Sequence, residues 1–315
     1  MSWSNFEAML DSARSQAPRT VAVAAAGDVD VLAAVRDALA LGLCKAILVG
    51  PVASIVKAAG EVGLDLSAVE VVDAPNPKAA ALEAAHLCGE GKAQVLMKGM
   101  VSSGDFLGAV LHPDSQLKRS SLLSHLACFE VPALGRLLFV TDGGMVPYPD
   151  LEQKVKILEN AVGAMHVLGW EKPKVGVVAA IETVNPKMPP TMDAALIAKM
   201  GERGQIKGAI IDGPLAFDGC VSPESCKHKG IGGPVAGQAD LILVPTIEVG
   251  NVLGKSLVYG GGATMAGMVL GAAVPVVMVS RSDTPRAKLV SLAMAMLATP
   301  APAPVGAAPA AAGAR

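Results

Sequence analysis

Near the C-terminal end, Ser280-Arg281-Ser282-Asp283 places hydroxyls, a guanidinium and a carboxylate on one short segment. A guanidinium offers a rigid fork of N–H donors that matches phosphate oxygens. A carboxylate accepts a proton, and a hydroxyl hydrogen-bonds charge as it develops. The set of Ser280, Arg281 and Asp283 suits a substrate carrying a phosphate or phosphate-like group. Lys98 opens a second anion cradle, Gly99-Met100-Val101-Ser102-Ser103-Gly104-Asp105. There a lysine, two hydroxyls and the N–H groups of a following helix start lie together. Ser103 or Asp105 would serve equally well as an ordinary helix cap. Asp212-Gly213-Pro214-Leu215 with Asp218 pairs two carboxylates at a turn, a pattern commoner in turn chemistry than in acid–base work.

Other motifs imitate known sites and fail on spacing. Gly250-Asn251-Val252-Leu253-Gly254-Lys255-Ser256 has three residues between its first glycine and Gly-Lys-Ser, whereas a nucleotide P-loop needs four. Gly250 and Asn251 still offer backbone and amide donors to an anion, and Lys255 a point charge. Gly260-Gly261-Gly262 followed by Gly267 approaches a dinucleotide fingerprint, but the third glycine is displaced and no buried strand precedes it. Cys220, Cys226 and His228 are too few for a metal site, and no further ligand lies nearby. His86, His112, His125 and His166 fall in helical patterns, where packing or surface roles are the ordinary reading.

These residues need strands to deliver them. Val-rich runs without alternation predict strands buried on both faces, at 20–26, 46–49, 69–72, 95–97, 137–141, 175–180, 209–212, 241–245 and 274–280. Helical patterns intervene at 29–41, 78–88, 151–168, 192–200 and 282–297, with Asp28 and Pro51 as plausible starters. Strand–helix alternation predicts an α/β fold with mainly parallel sheets and helices on both faces. In such sheets ligands gather beyond the carboxyl ends of the strands, where Lys98, Asp212 and Ser280 fall.

At 315 residues, one large or two medium domains are expected. Aromatics are 3% of the chain against 52% hydrophobic residues, so the core must be built from small aliphatics. A net charge of −2 gives no basic surface for nucleic acid. No apolar stretch is long enough for a membrane span. Five cysteines, an odd number without framework spacing, predict free thiols in a reducing compartment. With no secretory signal at the N-terminus, the expectation is a cytoplasmic protein. The Ala/Pro-rich stretch 299–315 is expected to be disordered.

Several segments, taken in order, resemble the phosphate acetyl/butyryltransferase family, and its butyryl branch most closely. They are Leu96-Met97-Lys98-Gly99, Asp105-Phe106-Leu107, Ser124-His125 with Phe129-Glu130, and Leu138-Phe139-Val140-Thr141-Asp142. They continue through Pro149-Asp150-Leu151, Val184-Asn185-Pro186-Lys187-Met188-Pro189, Asp212-Gly213-Pro214-Leu215-Ala216 and Lys227-His228-Lys229-Gly230-Ile231. Gly250-Asn251-Val252-Leu253, Lys255-Ser256-Leu257-Val258-Tyr259 and Ser280-Arg281-Ser282-Asp283 complete a collinear likeness over about residues 20–298.

The resemblance implies two α/β domains of the isocitrate/isopropylmalate dehydrogenase-like type, with the active site in the interdomain cleft. Residues 1–118 with 272–298 would form the first domain, and 119–271 an inserted, dimerising second. It implies direct transfer of a short acyl group, butyryl or acetyl, between coenzyme A and inorganic phosphate in a ternary complex. Coenzyme A is then a substrate; no cofactor or metal is called for, and the partners are acyl-CoA, phosphate and a second copy of the chain. Ser280, Arg281 and Asp283 would be catalytic. Lys98, Ser102, Ser103, Lys255 and Arg281 would bind phosphate or acyl phosphate, and Asp212, Gly250, Asn251 and Lys255 coenzyme A. Two positions depart from the pattern. Ala287 stands where the acetyl branch has its catalytic aspartate, which passes that role to Asp283. Gly108 stands where many members have an arginine, which passes its anion duty to Lys98 or Lys255. The alternatives are a coenzyme A-binding protein with reduced catalysis and a metal-dependent decarboxylating dehydrogenase of the same fold.

Overall fold

The computed structural model describes residues 3–280 and 283–299. Arg281, Ser282 and the Ala/Pro-rich stretch from 300 onward lie outside the described residues. The first elements are α1 (Phe6–Arg14), β1 (Arg19–Ala24), α2 (Val29–Ala40), β2 (Cys44–Gly50), α3 (Val52–Val62), β3 (Glu70–Asp73), α4 (Pro77–Gly89), β4 (Val95–Lys98) and α5 (Ser103–Val110). There follow β5 (Ser124–Val131), β6 (Arg136–Thr141), α6 (Leu151–Val167), β7 (Lys174–Val178), α7 (Pro189–Glu202), β8 (Ile210–Leu215), α8 (Phe217–Val221) and α9 (Pro223–Lys229). The chain ends with β9 (Leu241–Leu243), α10 (Ile247–Lys255), β10 (Thr264–Leu270), β11 (Val276–Val277) and α11 (Pro285–Leu297).

The expected α/β class is what forms. All nine predicted strands are present, in one sheet of order β3-β2-β1-β4-β11-β10-β5-β6-β9-β7-β8. Pairing is parallel on both sides of the sheet, as apolar runs buried on two faces require. The middle departs from that expectation. β5 and β10, which the apolar pattern did not reveal, pair antiparallel with each other, β5 with β6, and β10 with β11. The two sides meet in the β10–β11 ladder at a single register pair, Val269 with Val276.

β11 is shorter than the predicted 274–280 strand. Pro275 has no N–H to give, its carbonyl accepts from Leu96, and only Val276 and Val277 pair with β4. Residues 278–280 therefore leave the ladder and line a cavity. Helix starts follow local chemistry: Asp28 caps α2 by accepting from the Val31 N–H at 3.0 Å, and Asp150 with Gln153 forms a capping box on α6. Such caps stabilise a helix by about 1 kcal/mol each.

Packing differs on the two faces. On one, a single cluster runs beneath both sides of the sheet, joining α1, α2, α6 and α11 through residues such as Met9, Val35, Leu126, Ile157 and Met294. On the other, the core divides in two. One cluster lies under α4 and α5, around Ala84, Phe106 and Val276, and the other under α8 and α10, around Phe129, Val140 and Ile242.

Candidate active site

The divided face holds a cavity of about 470 Å³. Alternation along β5 explains its wall. Leu126 and Cys128 point into the continuous core, while His125, Ala127 and Phe129 face the cavity with Val140 of β6 and Met265 of β10. Ser103 of α5 and the 278–280 segment close it from the other side of the sheet, with Asp283 and Ala287 beside them. Gly250, Asn251, Gly254 and Lys255 of α10 complete it. Its lining mixes polar and apolar side chains.

Of the residues singled out in the sequence, Ser103, Gly250, Asn251, Lys255, Ser280 and Asp283 meet here. Asp283 Oδ2 accepts the Ser280 N–H at 2.7 Å, and the Asp283 N–H donates to the Ser280 carbonyl at 3.1 Å. The turn carrying the hydroxyl is thus fixed by the carboxylate three residues on. The Lys255 ammonium lies 5.7 Å from the centre of the Tyr259 ring. Arg281 lies outside the described residues.

Other candidates stand elsewhere. Lys98 ends β4 in a buried position, 8% exposed, with its ammonium donating to the Gly99 carbonyl at 3.4 Å. Ser102 is the cap of α5, taking over from Ser103 and Asp105 in that role: its hydroxyl accepts the Asp105 N–H at 3.0 Å and donates to the Asp105 carboxylate at 2.7 Å. Asp212 is on β8, the edge strand, where its carboxylate accepts the Gly213 N–H at 2.8 Å. None of the three is among the described residues lining the cavity.

Gly250 acts differently from its expected part. The segment that imitated a P-loop is the body of α10, and the Gly250 N–H donates within the helix to Thr246 at 3.2 Å. What glycine supplies there is closeness: a Cβ at position 250 would stand 2.6 Å from the Gly143 Cα. Four residues on, the Gly254 position faces the Phe129 ring, with Cζ 3.1 Å from where a Cβ would be. Glycines one turn apart let the α10 backbone settle on the cavity wall.

Two residues at or beside the cavity were not singled out in the sequence. His125, placed there in a helical pattern, is on β5 with its imidazole held in a slot between two glycines. A Cβ at Gly144 would stand 3.1 Å from Cγ, and one at Gly267 would stand 2.8 Å from Nε2. Burial pushes the His125 pKa below its usual value of 6.5, against the opposing charges of Asp142 and Asp283. Asp142, buried at the end of β6, accepts N–H bonds from Gly144, Met145 and Val146 at 2.8, 2.9 and 3.2 Å. Burial raises its pKa, and those donors and the imidazole restrain the rise.

The second is Lys288. It is 2% exposed, donates to the Asp283 carbonyl, and approaches Asp30 of α2 at 3.6 Å. A lysine flanked by Ala287 and Leu289 in the largely apolar α11 was the available signal.

All five cysteines are free and buried. Burial pushes the thiols of Cys44, Cys88 and Cys220 up to about 12, so they are protonated and inert at neutral pH. Cys226 is buried at the foot of α9 and His228 is exposed, with no third ligand beside them among the described residues.

A family model described as phosphate acetyl/butaryl transferase matches residues 75–296. Over 293 residues the chain is 45% identical to the phosphate butyryltransferase of Clostridium acetobutylicum, covering 93% of this chain and 97% of that protein. It is 41% identical over 288 residues to the phosphate acetyltransferase of Thermotoga maritima, covering 91% and 97%. The crystal structure of a branched-chain phosphotransacylase from Enterococcus faecalis V583 aligns with a TM-score of 0.80 at 34% identity, covering 89% of this chain and 98% of that one. With this match along nearly its whole length, the chain belongs to the phosphate acetyl/butaryl transferase family.

Proposed function

We propose that this chain is an acyltransferase that moves a short acyl group reversibly between coenzyme A and inorganic phosphate. The observation that carries the reading is the cavity itself. Its lining combines the polar residues Ser280, Asp283, Asn251 and Lys255 with the apolar side chains of Ala127, Phe129, Val140 and Met265. A thioester and a phosphate can meet in such a space without a covalent enzyme intermediate, and holding them together lowers the barrier more than any single group. In this reading Ser280 hydrogen-bonds the oxyanion that develops on the acyl carbon. Arg281 and Lys255 attract phosphate, and Asn251 and Gly250 border the path of coenzyme A. The relatives' names favour this transfer over a decarboxylating dehydrogenase reaction on a similar fold.

Two α/β lobes, 1–118 with 272–298 and 119–271, are part of the same proposal. The divided core face and the single Val269–Val276 register pair support it. A homodimer and a cytoplasmic location rest on the family resemblance and on the free cysteines. The test is coenzyme A release from acyl-CoAs from acetyl to hexanoyl, with phosphate present or replaced by arsenate. Phosphate-dependent release is expected, with butyryl-CoA among the better substrates. Absence of turnover with every short acyl-CoA would remove the reading. Light scattering on the same preparation gives the oligomeric state.

A further inference from the structure

We infer that His125 is the acid–base residue of the transfer, taking the proton of the coenzyme A thiol as the sulfur attacks the acyl phosphate. The inference rests on the transferase reading above and adds to it the proton acceptor.

Among the described residues lining the cavity, His125 is the imidazole, and the other polar groups suit the task less well. Asp283 already gives one oxygen to the Ser280 N–H. Asp142 is turned to three backbone N–H groups and does not line the cavity. Lys255 is a cation set over Tyr259. The hydroxyls of Ser103, Thr264 and Thr284 are too weakly basic. A base whose pKa is near the working pH transfers protons best. Imidazole is therefore a better match than a carboxylate to a thiol of pKa about 8.5.

The surroundings hold the ring in place. Gly144 and Gly267 leave it room on either side, while the Thr141 hydroxyl donates to the His125 carbonyl at 2.8 Å and anchors the strand. Asp142 beyond β6 and Asp283 are the charged groups that act on the ring. β10 brings Gly267, whose N–H donates to Ser291 of α11 at 3.0 Å, and α10 brings Lys255. The two carboxylates stabilise the imidazolium once it forms, and burial keeps the resting ring neutral.

In the direction of acyl-CoA synthesis, His125 takes the thiol proton as the S–C bond to the carbonyl carbon forms. The tetrahedral intermediate then collapses, the C–O bond to phosphorus breaks, and the phosphate leaves with both electrons. The imidazolium returns the proton to the departing phosphate oxygen. No oxidant, reductant or metal enters the balance.

The test compares wild type with His125→Gln and His125→Asn in the coenzyme A release assay. Both variants should lose about 10²-fold or more in kcat, with KM for acyl-CoA and phosphate within about threefold. The wild-type kcat/KM should fall with a single acidic limb below pH 6.5, the usual imidazole value, and the residual activity of the variants should lack that limb. Added imidazole should restore part of the rate to His125→Ala, which a purely structural role would not allow. Variants as active as wild type, or a wild-type profile flat down to about pH 5, would overturn the inference. The wild-type profile decides the matter even if every variant fails to fold. A wild type without turnover removes the transferase reading and this inference together, whereas an active wild type with active variants removes the inference alone.

Discussion

The buried ammonium of Lys288 donates to the main-chain carbonyl of Asp283, so that a lysine on α11 fixes the turn presenting Ser280 to the cavity. Asp283 is thereby held twice, through its own carbonyl and through the Ser280 N–H on its carboxylate. A hydrogen bond to a charged group is worth about 1.5–3 kcal/mol. Lys288→Met keeps the length of the side chain and removes the donor. We expect kcat/KM to fall by about 10- to 100-fold, since 1.4 kcal/mol is a factor of ten. Its melting temperature should change little, because burying a thioether costs less than burying an ammonium. Parallel measurements of kcat/KM and thermal unfolding check the pair of outcomes.

Gly267 is opposite Ala127 in the β10–β5 ladder, and the slot for His125 depends on its missing side chain. In Gly267→Ala the new Cβ would meet Nε2 at 2.8 Å, so the ring would have to shift within its slot. Overpacking of this kind costs about 1–3 kcal/mol. The variant should unfold at a lower temperature and lose more activity than Ala127→Gly, which only opens space. Equal activity in the two would show that the ring has freedom the glycines do not suggest.

Stability should also report the imidazole. Its folded pKa is below 6.5, so between that lowered value and 6.5 the unfolded chain binds the extra proton and the folded chain does not. Protons then favour unfolding, and stability falls as pH drops through this window. Asp142 acts oppositely: its raised pKa means that the folded state keeps its proton longer as pH rises above 3.8. Replacing His125 with Gln removes the first effect and, by taking away the imidazole that restrains it, strengthens the second. The melting temperature of wild type should decline below pH 6.5 more steeply than that of His125→Gln. Identical slopes would mean that the ring titrates alike in both states.

The sheet was legible where strands are parallel and buried on both faces, because unbroken apolar runs such as Leu48-Val49 or Val175 to Val178 admit few other readings. Its centre was not. β5 begins Ser-His and β10 carries Ala266 and Gly267, residues with weak strand preference. Missing β5 placed His125 in a helix and hid the one imidazole of the cavity. Conversely, Gly250 to Ser256 reads as a loop because its glycines pack a helix against Gly143 and Phe129, a long-range relation that local pattern does not contain. Ser280 and Asp283 were recognised because a strand end followed by polar residues is a local signal.

The apolar lining offers a means of changing acyl length without touching the polar residues. Ala127 is on the cavity face of β5 between His125 and Phe129, where its side chain is a single methyl. If the acyl chain lies along this wall, Ala127→Leu should fill the space that the third and fourth carbons of a butyryl group need while sparing an acetyl group. One methylene in an apolar pocket is worth about 1–3 kcal/mol, so the ratio of kcat/KM for butyryl-CoA over acetyl-CoA should fall by at least about tenfold. The absolute rate with acetyl-CoA should stay within a few-fold of wild type, since Ser280 and Asp283 are untouched. A ratio unchanged by the substitution would place the acyl chain on another wall of the cavity and leave this one to the pantetheine arm of coenzyme A.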